Sequence, residues 1–327
     1  MHITVAICTW NRAKLLDQTL AQMQKLRVPE GVTWELLVVN NNSTDDTEVV
    51  LDRYLSKLPL RRFLEPRQGQ SHARNCAIQA AAGEFLIWTD DDVLVDPEWL
   101  ASYSVAFRDS EESVAFWGGS VEPWFEKPLP RAMARGLPEV NSGFCGVQVA
   151  SDDEVDSQGM HLPMGANFAV RAAVARRMGF DPTFGKVGAS QFTGDDFQFM
   201  RQILAAGLRG RWVTGATVKH YVCPSRLRLM SILDWYYQLG RTKVRLYGPG
   251  EDPKLWGAPR WMYRRTLEYG LTGPWSMICG DRAGVYRKLS QACFFAGTIQ
   301  ESWRVQRELC DSKMKSEGAG AIPQRVR

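Results

Sequence analysis

The 327-residue sequence is poor in cysteine and has no long apolar run. Its seven cysteines form no C-x-x-C pair, which excludes a disulfide-stapled scaffold and favours reduced thiols in a cytosol-like compartment. The longest stretch without Asp, Glu, Lys or Arg covers residues 157–170, whereas a membrane-spanning helix needs about 20 mostly apolar residues. The first residues lack the basic start of a signal peptide and are typical of a strand. These absences predict a cytoplasmic protein.

Two phosphate-binding motifs are absent as well. Neither G-x-G-x-x-G nor G-x-x-x-x-G-K-S/T occurs in the sequence, which argues against a dinucleotide or P-loop site. Apolar residues make up 45% of the chain and charged residues 23%, a balance that excludes a disordered protein. The length is enough for about two domains of ordinary size.

Charge is distributed unevenly along the chain. Residues 1–222 hold 22 Lys and Arg against 27 Asp and Glu, whereas residues 223–327 hold 18 against 9. An acidic body followed by a basic region indicates an anionic partner for the second part, although a merely solvated basic surface has the same composition. No nucleic-acid-binding motif is present, so we do not expect a nucleic acid as the partner.

Short apolar runs alternate with helical spacing in the first hundred residues. Residues 3–8, 34–39 and 85–89 are apolar runs, as in strands that are buried on both faces of a sheet. The segments between them place apolar residues three and four apart, as helices do. Strands joined through helices imply right-handed crossovers. The sequence therefore predicts an α/β fold with a Rossmann-like, mainly parallel sheet flanked by helices.

Polar residues follow each of these runs, at the sheet edge where parallel sheets bind ligands. Asp90, Asp91 and Asp92 come directly after the third run, and three adjacent carboxylates repel one another unless a cation offsets their charge. Mg²⁺ and Mn²⁺ prefer carboxylate oxygen, and Mg²⁺ often binds substrate phosphates as well. A metal–diphosphate site is one interpretation of this cluster, and an acidic turn before the next helix is the other.

Other candidate residues are weaker on their own. Asp195 and Asp196 precede a predicted helix, where Asp196 could act as a general base or simply cap the helix. His220 ends a predicted strand and could join a carboxylate-bound ion, although a single histidine is more often structural. Arg12 and Arg74 could neutralise phosphates, but surface arginines are common.

Taken in order, these segments resemble glycosyltransferase family 2, whose members have the GT-A fold and use nucleotide-sugar donors. The similarity covers roughly residues 3–222 and depends on the segments jointly. They are Cys8-Thr9-Trp10-Asn11-Arg12, Leu37-Val38-Val39-Asn40-Asn41-Asn42-Ser43-Thr44-Asp45, the stretch from Ala73-Arg74-Asn75 to Asp90-Asp91-Asp92, and Gly165-Ala166-Asn167-Phe168-Ala169-Val170-Arg171 with Gly194-Asp195-Asp196 and Val218-Lys219-His220.

The resemblance implies a role for each matched residue. The donor nucleotide sugar, with a UDP-sugar favoured, would be held by Thr9, Asn11, Arg12, Asn40, Asn42, Arg74, Asp90 and Asp91. Asp92 and His220 would bind a divalent cation, Mn²⁺ or Mg²⁺, that bridges the diphosphate. Asp196 would be the catalytic base, with Asp195 and Asn167 on the acceptor side. Members of the family generally invert the anomeric carbon.

The sequence departs from the family pattern at three places. Asn40 stands where the family commonly has Asp, which puts the identity of the base in doubt, and Asp195 replaces the usual Glu. Gln238-Leu239-Gly240-Arg241-Thr242 only partly matches the Gln-x-x-Arg-Trp motif of processive polysaccharide synthases. Processive extrusion is therefore not expected.

The end of the matched region and a change in composition divide the chain into parts. Residues 1–222 form the predicted GT-A domain, with a nucleotide-sugar half in 1–122 and an acceptor half in 123–222. Residues 223–311 form a predicted helical appendage rich in Arg, Trp and Tyr, and residues 312–327 a flexible tail. One hypothesis is that the appendage binds an anionic membrane surface or a lipid-diphosphate acceptor. The alternative is an ordinary helical subdomain that packs its aromatic residues onto the GT-A body or a second copy.

The predicted function is metal-dependent transfer of a sugar from a nucleoside-diphosphate sugar to a hydroxyl of a saccharide or lipid-linked acceptor, in polysaccharide or glycolipid synthesis. The predicted location is the cytoplasm, with peripheral contact at the inner membrane face left open. A nucleotidyltransferase is a second candidate, but it is expected to carry a Gly-rich loop where this sequence has Trp10-Asn11-Arg12-Ala13. A non-catalytic sugar-nucleotide-binding protein is a third. Retention of Asp92, Asp196 and His220 together argues against it.

Overall fold

A computed structural model of the chain describes residues 1–129, 146–156, 161–185 and 194–319. The chain divides into two compact units, the first ending at Pro224 and the second formed mainly by the residues from Ser225 onward. Parts of the predicted acceptor half, residues 130–145, 157–160 and 186–193, lie outside the described residues. The same is true of residues 320–327 in the predicted tail.

The first unit is built on one eight-stranded sheet. Its strands are β1 (His2–Thr9), β2 (Thr33–Asn40), β3 (Leu60–Leu64), β4 (Phe85–Asp90), β5 (Val93–Val95), β6 (Val114–Trp124), β7 (Asn167–Arg171) and β8 (Arg209–Tyr221). They lie in the order β3-β2-β1-β4-β7-β6-β8-β5. The pairs β2–β3, β1–β2, β1–β4 and β6–β8 are parallel, and β7 and β5 pair antiparallel with their neighbours. This arrangement confirms the predicted α/β class with a mainly parallel sheet.

Helices cover both faces of the sheet. They are α1 (Ala13–Met23), α2 (Thr47–Tyr54), α3 (Gln70–Ala80), α4 (Trp99–Arg108), α5 (Ala172–Met178) and α6 (Asp195–Ala205). Side chains of α1, α2 and α4 share one apolar cluster with Val5 and Ile7 of β1, and side chains of α3, α5 and α6 share the other with Ala6. Because successive strand residues face opposite sides of the sheet, β1 contributes side chains to both clusters. Its sequence is therefore a continuous apolar run.

Strand β3 has no apolar run in the sequence that predicts it. Its pattern includes Arg61 and Arg62, which interrupt the apolar run that marks a buried strand. The structure explains the charges, because β3 is the outer strand of the sheet beside β2 and both arginines are exposed. Arg61 pairs with Glu35 at 2.6 Å, and Arg62 with Asp52 at 2.5 Å. Charged residues are typical of edge strands.

The second unit is mainly helical, as predicted. It contains α7 (Leu229–Tyr247), α8 (Arg260–Ile278) and α9 (Arg282–Ala319), with a short hairpin of β9 (Lys254–Leu255) and β10 (Ala258–Pro259). Helices α7 and α9 approach closely, since a Cβ added at Gly240 would lie 2.0 Å from the carbonyl oxygen of Phe294. The carboxylate of Glu301 on α9 is buried between three arginines, Arg241, Arg245 and Arg304.

Helix α9 extends into the segment 312–327 that the sequence predicts as a flexible tail. Within residues 1–129, 146–156, 161–185 and 194–319, no helix combines the length and the apolar character that crossing a membrane requires.

Candidate active site

The three adjacent aspartates form the turn between β4 and β5. Asp90 ends β4 and Val93 begins β5, which pairs antiparallel with β8. The register of that pairing sets His220 opposite Val93 and brings its imidazole beside the carboxylates. Nε2 of His220 lies 3.4 Å from Asp92 Oδ1 and 3.8 Å from Asp90 Oδ2. Residues that are far apart in sequence are therefore neighbours at one edge of the sheet.

This aspartate–histidine cluster suits a divalent cation. Asp90, Asp92 and His220 each offer one ligand atom, and the three atoms lie within 4.8 Å of one another. Two carboxylate oxygens and an imidazole nitrogen are donors that Mn²⁺ accepts. Asp92 and His220 are buried, whereas the Asp90 side chain is 31% exposed, so solvent reaches the cluster from the Asp90 side. The residues present therefore fit the predicted ion.

Arg12 binds the other side of the aspartate turn. Its Nη1 donates to Asp91 Oδ1 at 2.9 Å and to Asp92 Oδ2 at 2.7 Å. Thr9, at the end of β1, donates from Oγ1 to Asp91 Oδ2 at 2.7 Å. Both oxygens of Asp91 are therefore bonded within the chain, which favours a role for Asp91 in fixing the turn.

Burial shifts the pKa of one carboxyl group of this turn, that of Asp91. It raises the pKa of Asp91 to about 6, and the charges of Asp92 and Asp90 add to the shift while Arg12 and Thr9 oppose it. The pKa of Arg12 is raised above its ordinary value, chiefly by the charge of Asp91. Arg12 therefore remains cationic and offsets part of the repulsion between the carboxylates.

Arg74 of α3 pairs with the second acidic group. Its side chain is 3% exposed, and Nη1 donates to Asp195 Oδ2 at 2.7 Å. Burial alone would lower the pKa of Arg74, but the charges of Asp195, Asp196 and Asp90 raise it above the ordinary value. The guanidinium carbon lies within 6.0 Å of three ring centroids, those of Phe180, Trp88 and Phe168. Its hydrogen-bond partner in the structure is thus a carboxylate of the chain.

Asp196 is held by two backbone N–H groups. Its Oδ2 accepts from Gly165 at 2.7 Å and its Oδ1 accepts from Phe197 at 2.9 Å. Burial raises the pKa of Asp196 to about 6, and the charge of Asp195 adds to the shift, while Arg74 and the two N–H groups oppose it. A carboxylate with this pKa is ionised at neutral pH and basic enough to take a proton from a hydroxyl in a transition state.

Both acidic groups lie at the same edge of the sheet. Strand β7 pairs antiparallel with β4, and Asn167 lies opposite Thr89. Gly165 therefore comes just beyond the carboxyl end of β4, where Asp90 is found. Because Asp196 accepts from Gly165, the candidate base lies at the edge that carries the aspartate turn.

The loops after β1 and β2 are hydrogen-bonded to each other. Asn11 and Asn42 have positive φ angles of 52° and 64°, a region that asparagine adopts more readily than most residues. Asn11 Oδ1 accepts from the N–H of Thr44 at 2.7 Å, and the N–H of Asn11 donates to Ser43 Oγ at 2.9 Å. Both asparagines are exposed beside the carboxyl ends of the strands, and their contact with the donor stays a prediction.

Asn40 and Asn41 are buried and organise these loops. Asn40 Nδ2 donates to Glu48 Oε1 at 2.6 Å, and its Oδ1 accepts from the N–H of Ser43 at 2.8 Å. Asn41, which the sequence analysis did not select, bonds three backbone groups of the loop before α3, those of Glu65, Arg67 and Gly69. The run of three asparagines in the sequence marks this segment as a candidate, but it does not indicate which of the three side chains is buried.

The structure places Asn167 in the core of the first unit. Its Oδ1 accepts from Trp99 Nε1 and Tyr103 OH, both at 2.8 Å, and its Nδ2 donates to the carbonyl oxygens of Ser120 at 2.9 Å and Ala216 at 2.8 Å. These four bonds fill the capacity of the amide, and the residue is 0% exposed. We therefore assign Asn167 to the core, in place of the acceptor side that its motif implied.

Solved structures share this architecture. The mannosyltransferase PcManGT from Pyrobaculum calidifontis, in complex with GDP-Man and Mn²⁺, has a TM-score of 0.60 at 18% identity, over 92% of this chain and 87% of that chain. Staphylococcus aureus TarS 1–349 in complex with UDP has a TM-score of 0.54 at 19% identity, over 93% and 92%. These likenesses define the fold as that of the GT-A glycosyltransferases.

The family follows from the sequence comparison. The model of glycosyl transferase family 2 matches residues 4–178, and the chain belongs to that family. It is 26% identical over 138 residues to the succinoglycan biosynthesis protein ExoM of Rhizobium meliloti. The aligned segment covers 42% of this chain and 44% of ExoM. It is 32% identical over 115 residues to the poly(ribitol-phosphate) beta-N-acetylglucosaminyltransferase TarS of Staphylococcus aureus. The aligned segment covers 35% of this chain and 20% of TarS. The chain thus spans less than half of either relative.

Proposed function

We propose that the chain is a metal-dependent, inverting glycosyltransferase that moves a sugar from a nucleoside-diphosphate sugar, preferably a UDP-sugar, to an acceptor hydroxyl. The observation that carries the proposal is the convergence of Asp90, Asp92 and His220 within 4.8 Å, at the sheet edge that also carries Asp196. Membership of glycosyl transferase family 2 supports sugar transfer over nucleotidyl transfer. Structural relatives that hold GDP-Man with Mn²⁺, or UDP, support a nucleoside-diphosphate donor and a divalent cation.

The aspartate–histidine cluster would hold the ion. When bound, a divalent cation supplies positive charge against the negative charge that develops on the diphosphate leaving group. Arg12 and Thr9 keep the aspartate turn in place through Asp91, and the exposed Asn11 and Asn42 line the side of the donor. The chain thereby orients the donor before any bond breaks.

Asp196 would be the base. It takes the proton of the acceptor hydroxyl as the new bond to the anomeric carbon forms and the bond from that carbon to the diphosphate oxygen breaks. The N–H groups of Gly165 and Phe197 fix the orientation of the carboxylate. Attack from the face opposite the leaving group inverts the anomeric carbon. In this proposal Arg74 pairs with Asp195 and lowers the pKa of Asp196, and it makes no direct contact with the phosphates.

The acceptor in this proposal is a saccharide or lipid-linked hydroxyl in polysaccharide or glycolipid synthesis, met in the cytoplasm at the inner membrane face. Two relatives are named for such polymers, succinoglycan and poly(ribitol-phosphate). A non-catalytic sugar-nucleotide-binding protein is disfavoured, because binding alone does not require the candidate base Asp196 together with the cluster of Asp90, Asp92 and His220.

Paired variants test the assignment. A thermal-shift screen of UDP and GDP with and without Mn²⁺ first selects the nucleotide, and calorimetry then measures its affinity. Asp92→Asn should lower the Mn²⁺-dependent affinity by about tenfold or more, a change of about 1.4 kcal/mol. Asp196→Asn should keep that affinity and lower the acceptor-dependent release of nucleoside diphosphate from the sugar donor about 10²–10⁴-fold, since it removes the base.

Asp109→Asn is the matched control, because Asp109 is exposed at the end of α4 and lies outside the site. It should leave both measurements unchanged. The proposed function would be wrong if Asp92→Asn kept the full Mn²⁺ dependence of nucleotide binding while Asp196→Asn kept full turnover.

A further inference from the structure

Helix α8 packs into the second unit through one face only. Its buried residues are Met262, Gly273 and Ser276. A Cβ added at Gly273 would lie 2.5 Å from Leu289 Cδ2, and Lys288 Nζ donates to Ser276 Oγ at 2.9 Å. These contacts join α8 to α9 and fix which side of α8 faces inward.

The opposite face of α8 carries large apolar side chains in solvent. They recur at spacings of four, four and three residues, which places them on one helical stripe. They are Leu267, Leu271, Trp275 and Ile278, with exposed fractions of 67%, 75%, 62% and 76%. Met277 beside them is 71% exposed. A contiguous apolar surface of this kind marks an interaction site in a soluble protein.

Exposed arginines border this apolar stripe. Arg260 and Arg264 lie toward the N-terminal end of α8, and Arg282 follows its C-terminal end. Between residues 260 and 282 the chain has four basic residues and two acidic residues, and one of the acidic residues, Glu268, is paired with Arg265 at 3.0 Å. The surface around the stripe is therefore positively charged.

We infer that the exposed face of α8 docks on an anionic lipid surface, with the apolar stripe at the boundary between headgroups and acyl chains. Arginine stems lie along such a surface while their charged ends reach the phosphates of the headgroups. A second copy of the chain is a poorer occupant, because stripe-to-stripe pairing would bring the arginines of both copies together. The inference gives the membrane contact of the proposed function a defined surface and does not depend on the transfer chemistry.

Vesicle co-sedimentation of the full chain tests the inference. We expect binding to phosphatidylcholine vesicles that contain phosphatidylglycerol, weaker binding to phosphatidylcholine alone, and loss of binding with added salt. Leu267→Glu with Leu271→Glu should lower the partition coefficient by about tenfold or more, because two apolar side chains no longer enter the lipid. Both positions are exposed, so the double variant should keep its fold, which circular dichroism checks.

Three further variants separate the contributions. Leu55→Glu changes a leucine that is 45% exposed in the first unit and should bind vesicles like the wild type. Arg264→Gln should weaken binding only to the anionic vesicles. Asp196→Asn should bind like the wild type, so that a failure of the proposed chemistry is distinguishable from a failure of the docking surface.

The inference would be overturned if the wild type did not bind anionic vesicles, or if the double leucine variant bound them equally well. Sedimentation velocity identifies the competing occupant. A dimer that Leu267→Glu with Leu271→Glu dissociates, together with no vesicle binding, would assign the face to a second copy.

Discussion

Arg12 donates to the oxygen of Asp92 that does not face His220, at 2.7 Å, while the imidazole of His220 lies 3.4 Å from the other oxygen. The same guanidinium reaches Asp91 at 2.9 Å. The aspartate turn therefore has a cation of the chain on one side and the proposed divalent ion on the other. This arrangement makes the stability of the turn depend on both charges.

Arg12→Gln should destabilise the protein more in EDTA than in saturating Mn²⁺. Without Arg12 two buried carboxylates lose the positive charge that pairs with both of them, and we expect a loss of about 1–3 kcal/mol in the free energy of unfolding. This range is below that of a fully buried pair because the Arg12 side chain is 42% exposed. The bound ion should recover part of the loss, and urea denaturation with and without Mn²⁺ measures it.

Arg53→Gln is the control for this prediction. Arg53 pairs with Asp17 at 3.4 Å, and the two side chains are 52% and 35% exposed. Its removal should cost less than about 1 kcal/mol and show no response to Mn²⁺. Equal losses for Arg12→Gln with and without the ion would contradict the coupling of the two cations.

The pH profile should report Asp196. Its pKa is raised to about 6, and the base must be unprotonated, so kcat/KM should fall as the pH drops through about 6. Asp195→Asn removes a like charge and should move this acid limb to lower pH. Arg74→Gln removes a charge that lowers the pKa of Asp196 and should move the limb to higher pH.

The opposite directions of these two shifts distinguish Asp196 from Asp91, whose pKa is also raised to about 6. The pKa of Asp91 is shifted chiefly by its burial and by Arg12, Asp92, Thr9 and Asp90, so the two variants should affect it less. If neither variant moves the acid limb of the profile, the titrating group would be Asp91 of the aspartate turn and not the base Asp196.

Gly165→Ala should lower turnover and leave donor binding intact. A Cβ at this position would lie 2.6 Å from Arg74 Nη2 and 2.8 Å from Asp196 Oδ2, so the base must shift. A displacement of this size can cost about 10²-fold in rate. Gly270→Ala on α8 is the matched control, because its Cβ would meet nothing within 4 Å. An equal fall in nucleotide affinity and turnover would indicate general disruption.

Local sequence signals predicted the buried strands and the acidic segments, but not how distant segments meet. The strands β1, β2 and β4 can be recognised in the sequence as continuous apolar runs, because both of their faces are covered. Strand β5 has three residues, Val93–Val95, too few for a periodic signal. Its register with β8 nevertheless decides that His220 meets Asp92. That pairing depends on long-range packing, as does the burial of Asn167.

Asn167→Ala should destabilise the fold without a selective effect on the acceptor. It leaves the N–H of Trp99, the hydroxyl of Tyr103 and two carbonyl oxygens without their partner, and a loss of about 2–4 kcal/mol is expected. Tyr103→Phe removes only one of these bonds and should cost about 1 kcal/mol. Urea denaturation measures both losses, and KM for the acceptor is measured on the folded variants. A raised acceptor KM at unchanged stability would return Asn167 to the acceptor side.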